Sequence, residues 1–166
     1  TLIVSGDTLH ELNETASITL SAPVNAVISD GSGVGTIIND DAAPTMSAAN
    51  VSITEGNSGT ANAVMTITLS GASSQPVVVN YATANGTAAG DDYTATSGSV
   101  TFAPGVTAMT VNIPVSGDVL NEASDTVLFN LTSSETANAS ASATLTIDND
   151  DPLPSLSIGD VTIVEG

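Results

Sequence analysis

Lysine and arginine are absent from this chain of 166 residues, and His10 is its single histidine. A surface without Lys or Arg repels nucleic-acid phosphates, so nucleic acid is excluded as a partner. Anionic membrane surfaces are disfavoured for the same reason. Cysteine is absent too, which removes disulfides, thiolate metal sites and cysteine nucleophiles. There is no tryptophan, and only Tyr81, Tyr93, Phe102 and Phe129 are aromatic, so a core must be aliphatic and thin. No stretch approaches the roughly 20 apolar residues of a membrane span, and direct membrane insertion is not expected. No nucleophile with its base is recognisable, and the chain is expected not to be an enzyme.

Carboxylate is what the chain has in excess. Eighteen Asp and Glu give a formal net charge of −18, yet 41% of the residues are hydrophobic. That apolar share allows a core and separates the chain from acidic disordered segments. Clustered carboxylates without an internal counter-charge need a cation from solution. Two of them in contact repel by about 4 kcal/mol at an effective dielectric of 20.

The acids recur in three motifs. Val4-Ser5-Gly6-Asp7-Thr8-Leu9-His10-Glu11-Leu12-Asn13-Glu14 matches Val115-Ser116-Gly117-Asp118-Val119-Leu120-Asn121-Glu122-Ala123-Ser124-Asp125. Thr36-Ile37-Ile38-Asn39-Asp40-Asp41 matches Thr146-Ile147-Asp148-Asn149-Asp150-Asp151. Val51-Ser52-Ile53-Thr54-Glu55-Gly56 matches Val161-Thr162-Ile163-Val164-Glu165-Gly166. The copies lie 111, 110 and 110 positions apart. A period this long suits an array of domains rather than a solenoid. The expected division is the back half of one unit (1–41), a complete unit (42–151) and the first strand of a third (152–166). The chain opens inside a motif without an initiator Met and reads as a piece of something longer.

Within 42–151 the apolar residues alternate with period two. The pattern predicts strands near 51–55, 63–69, 77–81, 100–102, 109–113, 126–131 and 143–147. Turn residues separate them at Gly56-Asn57-Ser58-Gly59, Asn85-Gly86, Pro104-Gly105 and Ser116-Gly117-Asp118. About seven short strands in this length predict an all-β, immunoglobulin-like antiparallel β-sandwich, here in tandem array.

Further residues give the chain a resemblance to Calx-beta domains: Tyr81-Ala82-Thr83-Ala84-Asn85-Gly86-Thr87-Ala88, Gly90-Asp91-Asp92-Tyr93 and Gly98-Ser99-Val100-Thr101-Phe102, followed by Pro104-Gly105. With the acidic motifs they cover the whole of 42–151 in order. The resemblance implies a calcium-binding sandwich of the kind found in sodium–calcium exchangers, integrins and arrays on bacterial surfaces. It implies Ca²⁺ ligands at Glu55, Asp118, Glu122, Asp125, Asp150 and Asp151. In the preceding unit the corresponding residues are Asp7, Glu11, Glu14, Asp40 and Asp41; in the following one only Glu165 is present. Asn85, Asp91 and Asp92 are weaker candidates, the last two equally suited to capping the turn before Tyr93. Ca²⁺ takes six to eight oxygen ligands, and these side chains supply oxygen. Asn85, Gly117 and Asn149 stand where the family carries acids, as do Gly6 and Asn39, so one or two ions are expected per complete unit.

The leading expectation is a calcium-stabilised repeat of an extracellular adhesin or surface fibre. Its partners would be neighbouring repeats of the same chain and other copies in a fibre. A calcium-dependent recognition module for a glycan or protein is the alternative, and a calcium sensor is a third reading without a visible effector. Joining 152–166 to residues 1–41 of another copy would supply a first and a last strand but nothing equivalent to 57–110. A section of a longer array is therefore the simpler expectation.

Overall fold

The computed structural model describes residues 2–166, and they contain ten β-strands and no helix. Two strands, β1 (Glu14–Thr19) and β2 (Ser32–Ile37), form an antiparallel hairpin of their own. The other eight are β3 (Met46–Ala48), β4 (Val51–Thr54), β5 (Gly59–Leu69), β6 (Val77–Asn85), β7 (Ser97–Phe102), β8 (Ala108–Gly117), β9 (Asp125–Thr132) and β10 (Ser140–Asp148). They make a five-stranded sheet in the order β4-β10-β9-β6-β7 and a three-stranded sheet in the order β3-β5-β8.

Alternation does what the sequence pattern predicts. Ala63, Met65, Ile67 and Leu69 of β5 are buried, as are Val127, Phe129 and Leu131 of β9 and Ala143, Leu145 and Ile147 of β10. Val111, Ile113 and Val115 of β8 join them in one core with Phe102 and Tyr93. Pro114 is tolerated in β8 because that strand pairs only with β5 and lies at an edge. Tyr81 lies across Gly98, whose missing side chain leaves room for the ring, and packs on Phe129 at 5.9 Å between centroids.

Two features differ from the expected plan. The strand expected over 51–55 is preceded by a short strand, β3, in the opposite sheet. Met46 pairs with Leu69, while Val51 pairs with Leu145, so the chain changes sheets at Ala49-Asn50. The Asn50 side-chain oxygen accepts from Thr144 N at 2.9 Å and fixes the change. The second difference is direction: β4 runs parallel to β10, so the sandwich is not purely antiparallel. Alternation reveals which face is buried, not which way a neighbour runs.

The strand expected within 152–166 does not form; Val161, Ile163 and Val164 are each more than 80% exposed. In the complete unit the equivalent strand is held by β10, whose two sides are already taken by β9 and β4.

The β1–β2 hairpin repeats the β9–β10 hairpin in register. Glu14 lies opposite Ile37, as Asp125 lies opposite Ile147, and Thr19 opposite Ser32, as Asn130 lies opposite Ser142. The sequence repeat is thus a repeat of pairing as well. The side chains matching the buried Phe129 and Leu131 are Ile18 and Leu20, which are 52% and 59% exposed.

Candidate metal centre

Parallel pairing of β4 with β10 puts the C-terminal ends of both strands at one end of the sandwich. Glu55 follows β4, and Asn149-Asp150-Asp151 follow β10. The chain turns back at once after Glu55 through Gly56 (φ 77°) and Gly59 (φ 79°), a backbone shape that favours glycine. It enters β5, which ends opposite Gly117 at the close of β8. The loop 118–124 leaves from that point. Sequence-distant acids therefore converge because four strand ends meet.

Carboxylate oxygens of Glu55, Asp150 and Asp151 lie within 4.8 Å of one another. Glu55 and Asp151 are 8% and 5% exposed. Their Oε1 and Oδ2 atoms are buried with no hydrogen-bond partner. The remaining oxygens are oriented: Asp151 Oδ1 accepts from Asn57 Nδ2 at 2.6 Å, and Asp150 Oδ1 from Gly56 N at 3.1 Å. Burial raises the Glu55 carboxyl above its ordinary value, and the charges of Asp118, Asp151, Glu122 and Asp150 raise it further.

A second group brings Asp92, Glu122 and Asp125 within the same distance of one another. Its residues are more open. Desolvation, followed by Asp118, Asp92, Asp125 and Asp91, raises the Glu122 carboxyl. Asp92 also caps its turn, accepting from Ala89 N at 2.6 Å. Asp118 is in neither group, yet its charge acts on Glu55 and Glu122 alike, while its Oδ1 accepts from Leu120 N at 2.7 Å. Asp91 is exposed and in neither group.

Asparagine residues hold the frame. Asn85 Oδ1 accepts from the Tyr93 hydroxyl at 2.7 Å, so that oxygen is engaged. Asn149 Oδ1 accepts from Asp151 N at 3.4 Å, and Asn149 Nδ2 donates to Asp151 O at 3.3 Å. Asn121 Nδ2 donates to the same carbonyl at 2.6 Å. Asn57 and Asn121 were not foreseen as site residues. The recurrence of Asn39 as Asn149 was the available signal for such a framework.

The preceding unit reproduces this geometry. Asn39 Nδ2 donates to Asp41 O at 2.8 Å, His10 Nδ1 donates to the same carbonyl at 3.0 Å, and Asp7 Oδ1 accepts from Leu9 N at 2.8 Å. Asp7, Glu11, Glu14, Asp40 and Asp41 line one cavity. Among the described residues no three of these carboxylates come as close as in the complete unit. Glu165 lies in the exposed tail, away from both sites.

The donor set fits a hard divalent cation: all oxygen, from separate loops, with buried lone pairs unsatisfied. In comparisons with known proteins, the family model for the Calx-beta domain matches residues 38–151. Among solved structures, the crystal structure of the apo-form Calx CBD1 domain is similar at 23% identity and a TM-score of 0.55. That match covers 66% of this chain and 99% of that one. CBD12 from CALX1.2 is similar at 24% identity and a TM-score of 0.52, over 64% of this chain and 44% of that one. The calcium binding domain CBD12 of CALX1.1 gives 24% and 0.53 over the same shares. These likenesses show the fold. No curated protein sequence matches the chain.

Proposed function

Since this chain belongs to the Calx-beta domain family, whose members are Ca²⁺-binding β-sandwich modules, we propose that it is a calcium-stabilised structural repeat of an extracellular surface protein. Glu55, Asp150 and Asp151 hold one ion, with Asp118 beside them. Asp92, Glu122 and Asp125 hold a second, more exposed one. The observation that carries the reading is the pair of buried, unpartnered oxygens on Glu55 and Asp151, in a chain with no Lys or Arg to neutralise them.

A bound Ca²⁺ supplies the positive charge that the carboxylates lack. The work of the chain's own residues is to gather the ligands. Asn57, Asn121 and Asn149 orient Asp151, and the Gly56 amide orients Asp150. Ligation of Glu55 with Asp150 and Asp151 ties β4 to β10 beyond their last paired residues. Binding only to the folded state stabilises it by mass action. Affinities of extracellular modules, about 10⁻⁴–10⁻³ M, suffice where calcium is millimolar.

The array reading has its own support. His10 O accepts from Ser74 N at 2.9 Å, and His10 bridges to Ser73 of the complete unit. The loop carrying Asp7, Glu11 and Glu14 is therefore hydrogen-bonded to the neighbouring unit, and fixing that loop stiffens the joint. The joint itself is pinned by Ala137 N to Pro44 O at 2.9 Å and Met46 N to Asn138 Oδ1 at 2.7 Å. A row of such joints makes a rod suited to a surface fibre or adhesin stalk. No paired nucleophile and base accompanies the acids, and the role is structural rather than catalytic.

Calorimetric titration of the chain with Ca²⁺ tests the proposal. Heat of binding that is lost in Glu55→Gln and Asp151→Asn supports it. Equal heats in the native chain and both variants would reject these ligands.

A further inference from the structure

Gly6 and Gly117 hold matching places in the two copies of the long-loop motif, but their surroundings differ. A Cβ on Gly117 would lie 2.6 Å from Glu55 O and closer still to Gly56 O. Glycine is thus required there because the end of β4 crosses the backbone. A Cβ on Gly6 would meet nothing within 4 Å. The first hairpin keeps the glycine that a β4-like strand end needs, without that strand.

Three other features agree. β10 is hydrogen-bonded on both sides, whereas β2 is bonded to β1 alone. Gly6, Asp7, Glu11, Glu14, Asp40 and Asp41 border an open cavity beside the end of β2, and nothing among the described residues stands there as Glu55 stands beside Asp150 and Asp151. The one other copy of the β4 sequence, Val161–Gly166, is exposed and forms no strand.

We infer that β2 takes the Val161–Gly166 segment of a second copy of this chain as a parallel strand, and that the donated Glu165 completes the cation site of Asp7, Glu11, Glu14, Asp40 and Asp41. This rests on the calcium reading above. The register follows from β4 on β10, where Val51 faces Leu145 and Ile53 faces Ile147. Val161 then faces Gly35, and Ile163 faces Ile37. Glu165 N–H donates to Ile38 O, as Glu55 N donates to Asp148 O at 3.2 Å. Gly166 N–H donates to the Asp40 carboxylate, as Gly56 N donates to Asp150 Oδ1. Main-chain bonds give such an added strand its affinity and the alternate side chains its specificity.

The chain's own tail cannot serve. It leaves the complete unit at the end carrying Glu55 and Asp151, while β2 joins at the opposite end, where Ser70 N bonds Thr45 O. β5 alone, with 11 residues, spans about 36 Å between those ends. The nine steps from Pro152 to Val161 reach about 32 Å at most. The added strand completes an edge and a site, not a sandwich, since counterparts of 57–110 stay absent. Free edge and free strand lie at opposite ends of each copy, so association is head to tail and open-ended. Six acids of one sign meet in the joint, so it forms only with the cation present.

Sedimentation velocity of the full chain in Ca²⁺ and in EDTA tests this, with thermal melts run alongside. The expected result is a monomer in EDTA and concentration-dependent association in Ca²⁺. Ile163→Pro, which cannot extend a paired strand, should stay monomeric in Ca²⁺ yet keep the native calcium-induced rise in Tm, because Ile163 packs on nothing in its own chain. Glu165→Gln should weaken association and leave that rise unchanged. A native chain that gains Tm in Ca²⁺ but stays monomeric overturns this inference and leaves the calcium reading standing. Association that survives Ile163→Pro also overturns it. Neither association nor a Tm rise removes both.

Discussion

Glu55 closes strand β4 and Asp151 lies just beyond the parallel strand β10, and each buries a carboxylate oxygen that no donor reaches. Uncompensated burial of this kind is destabilising unless a cation relieves it. Glu55→Gln should therefore act in opposite directions in the two states. Without metal it removes a charge repelled by Asp118, Asp151, Glu122 and Asp150, and should stabilise the fold by about 1 kcal/mol. With calcium it removes a ligand, and affinity should fall about 10-fold or more, as it does for lesser outer-shell losses. Chemical denaturation in EDTA and in Ca²⁺ reads both effects. The same sign in both states would contradict the account.

The metal-free protein should become more stable as pH falls from 7 toward 5. The Glu55 and Glu122 carboxyls are raised in the folded chain. A raised carboxyl makes the native state bind more protons than the unfolded one. Stability from this source is then fully present below the unfolded value of about 4.3 and is lost as pH rises through the folded values. Melting in EDTA across this window should show Tm rising on acidification, with a shallower rise in Glu55→Gln. In Ca²⁺ the trend should reverse, because protons compete with the ion for the same oxygens.

Gly117→Ala and Gly6→Ala should separate sharply although they make the same change in matching motifs. At Gly117 the new methyl collides with the backbone of Glu55 and Gly56, which must shift. Strain of this kind costs about 1–3 kcal/mol and displaces a ligand, so calcium affinity falls as well. At Gly6 nothing is in the way, and Tm in EDTA should stay within the effect of about 0.5 kcal/mol typical of a surface change. Equal losses in the two variants would show that the hairpins are not equivalent.

His10 and Asn121 bond the carbonyls of Asp41 and Asp151 in their own units, so Asn121→His should preserve the contact. Asn121→Leu removes the donor and should cost about 1 kcal/mol. Calcium affinity and denaturation midpoints of the two variants check this. An Asn121→His variant as weak as Asn121→Leu would sever the parallel between the units.

Much of this was legible in the chain itself. Alternation located Met65, Ile67, Phe129, Leu131 and Leu145 on one face of their strands, because strand periodicity is a local property. The repeat located the acids, and the shared register of the two hairpins is its structural counterpart. Direction was not legible. Nothing in Val51-Ser52-Ile53-Thr54 states that it runs parallel to β10, yet that direction brings Glu55 to Asp150 and Asp151. The division of the acids into two groups was hidden for the same reason, since Asp92 joins Glu122 and Asp125 only through the loop bridged by Tyr93 and Val115. Asn85 and Asn149 could be read as oxygen donors, but their Oδ1 atoms are engaged by the Tyr93 hydroxyl and the Asp151 amide. The pattern in 161–164 is strand-like, yet a strand also needs a free edge to pair with.

The most direct measurement is the melting temperature of the chain in millimolar Ca²⁺ and in EDTA at neutral pH. Calcium at 100 times its dissociation constant stabilises a folded state by about 2.7 kcal/mol. For a unit near 100 residues, each kcal/mol moves Tm by about 4–8 °C, so a rise of roughly 10 °C or more is expected. The same Tm in both solutions would contradict the claim that these carboxylates are assembled for a cation.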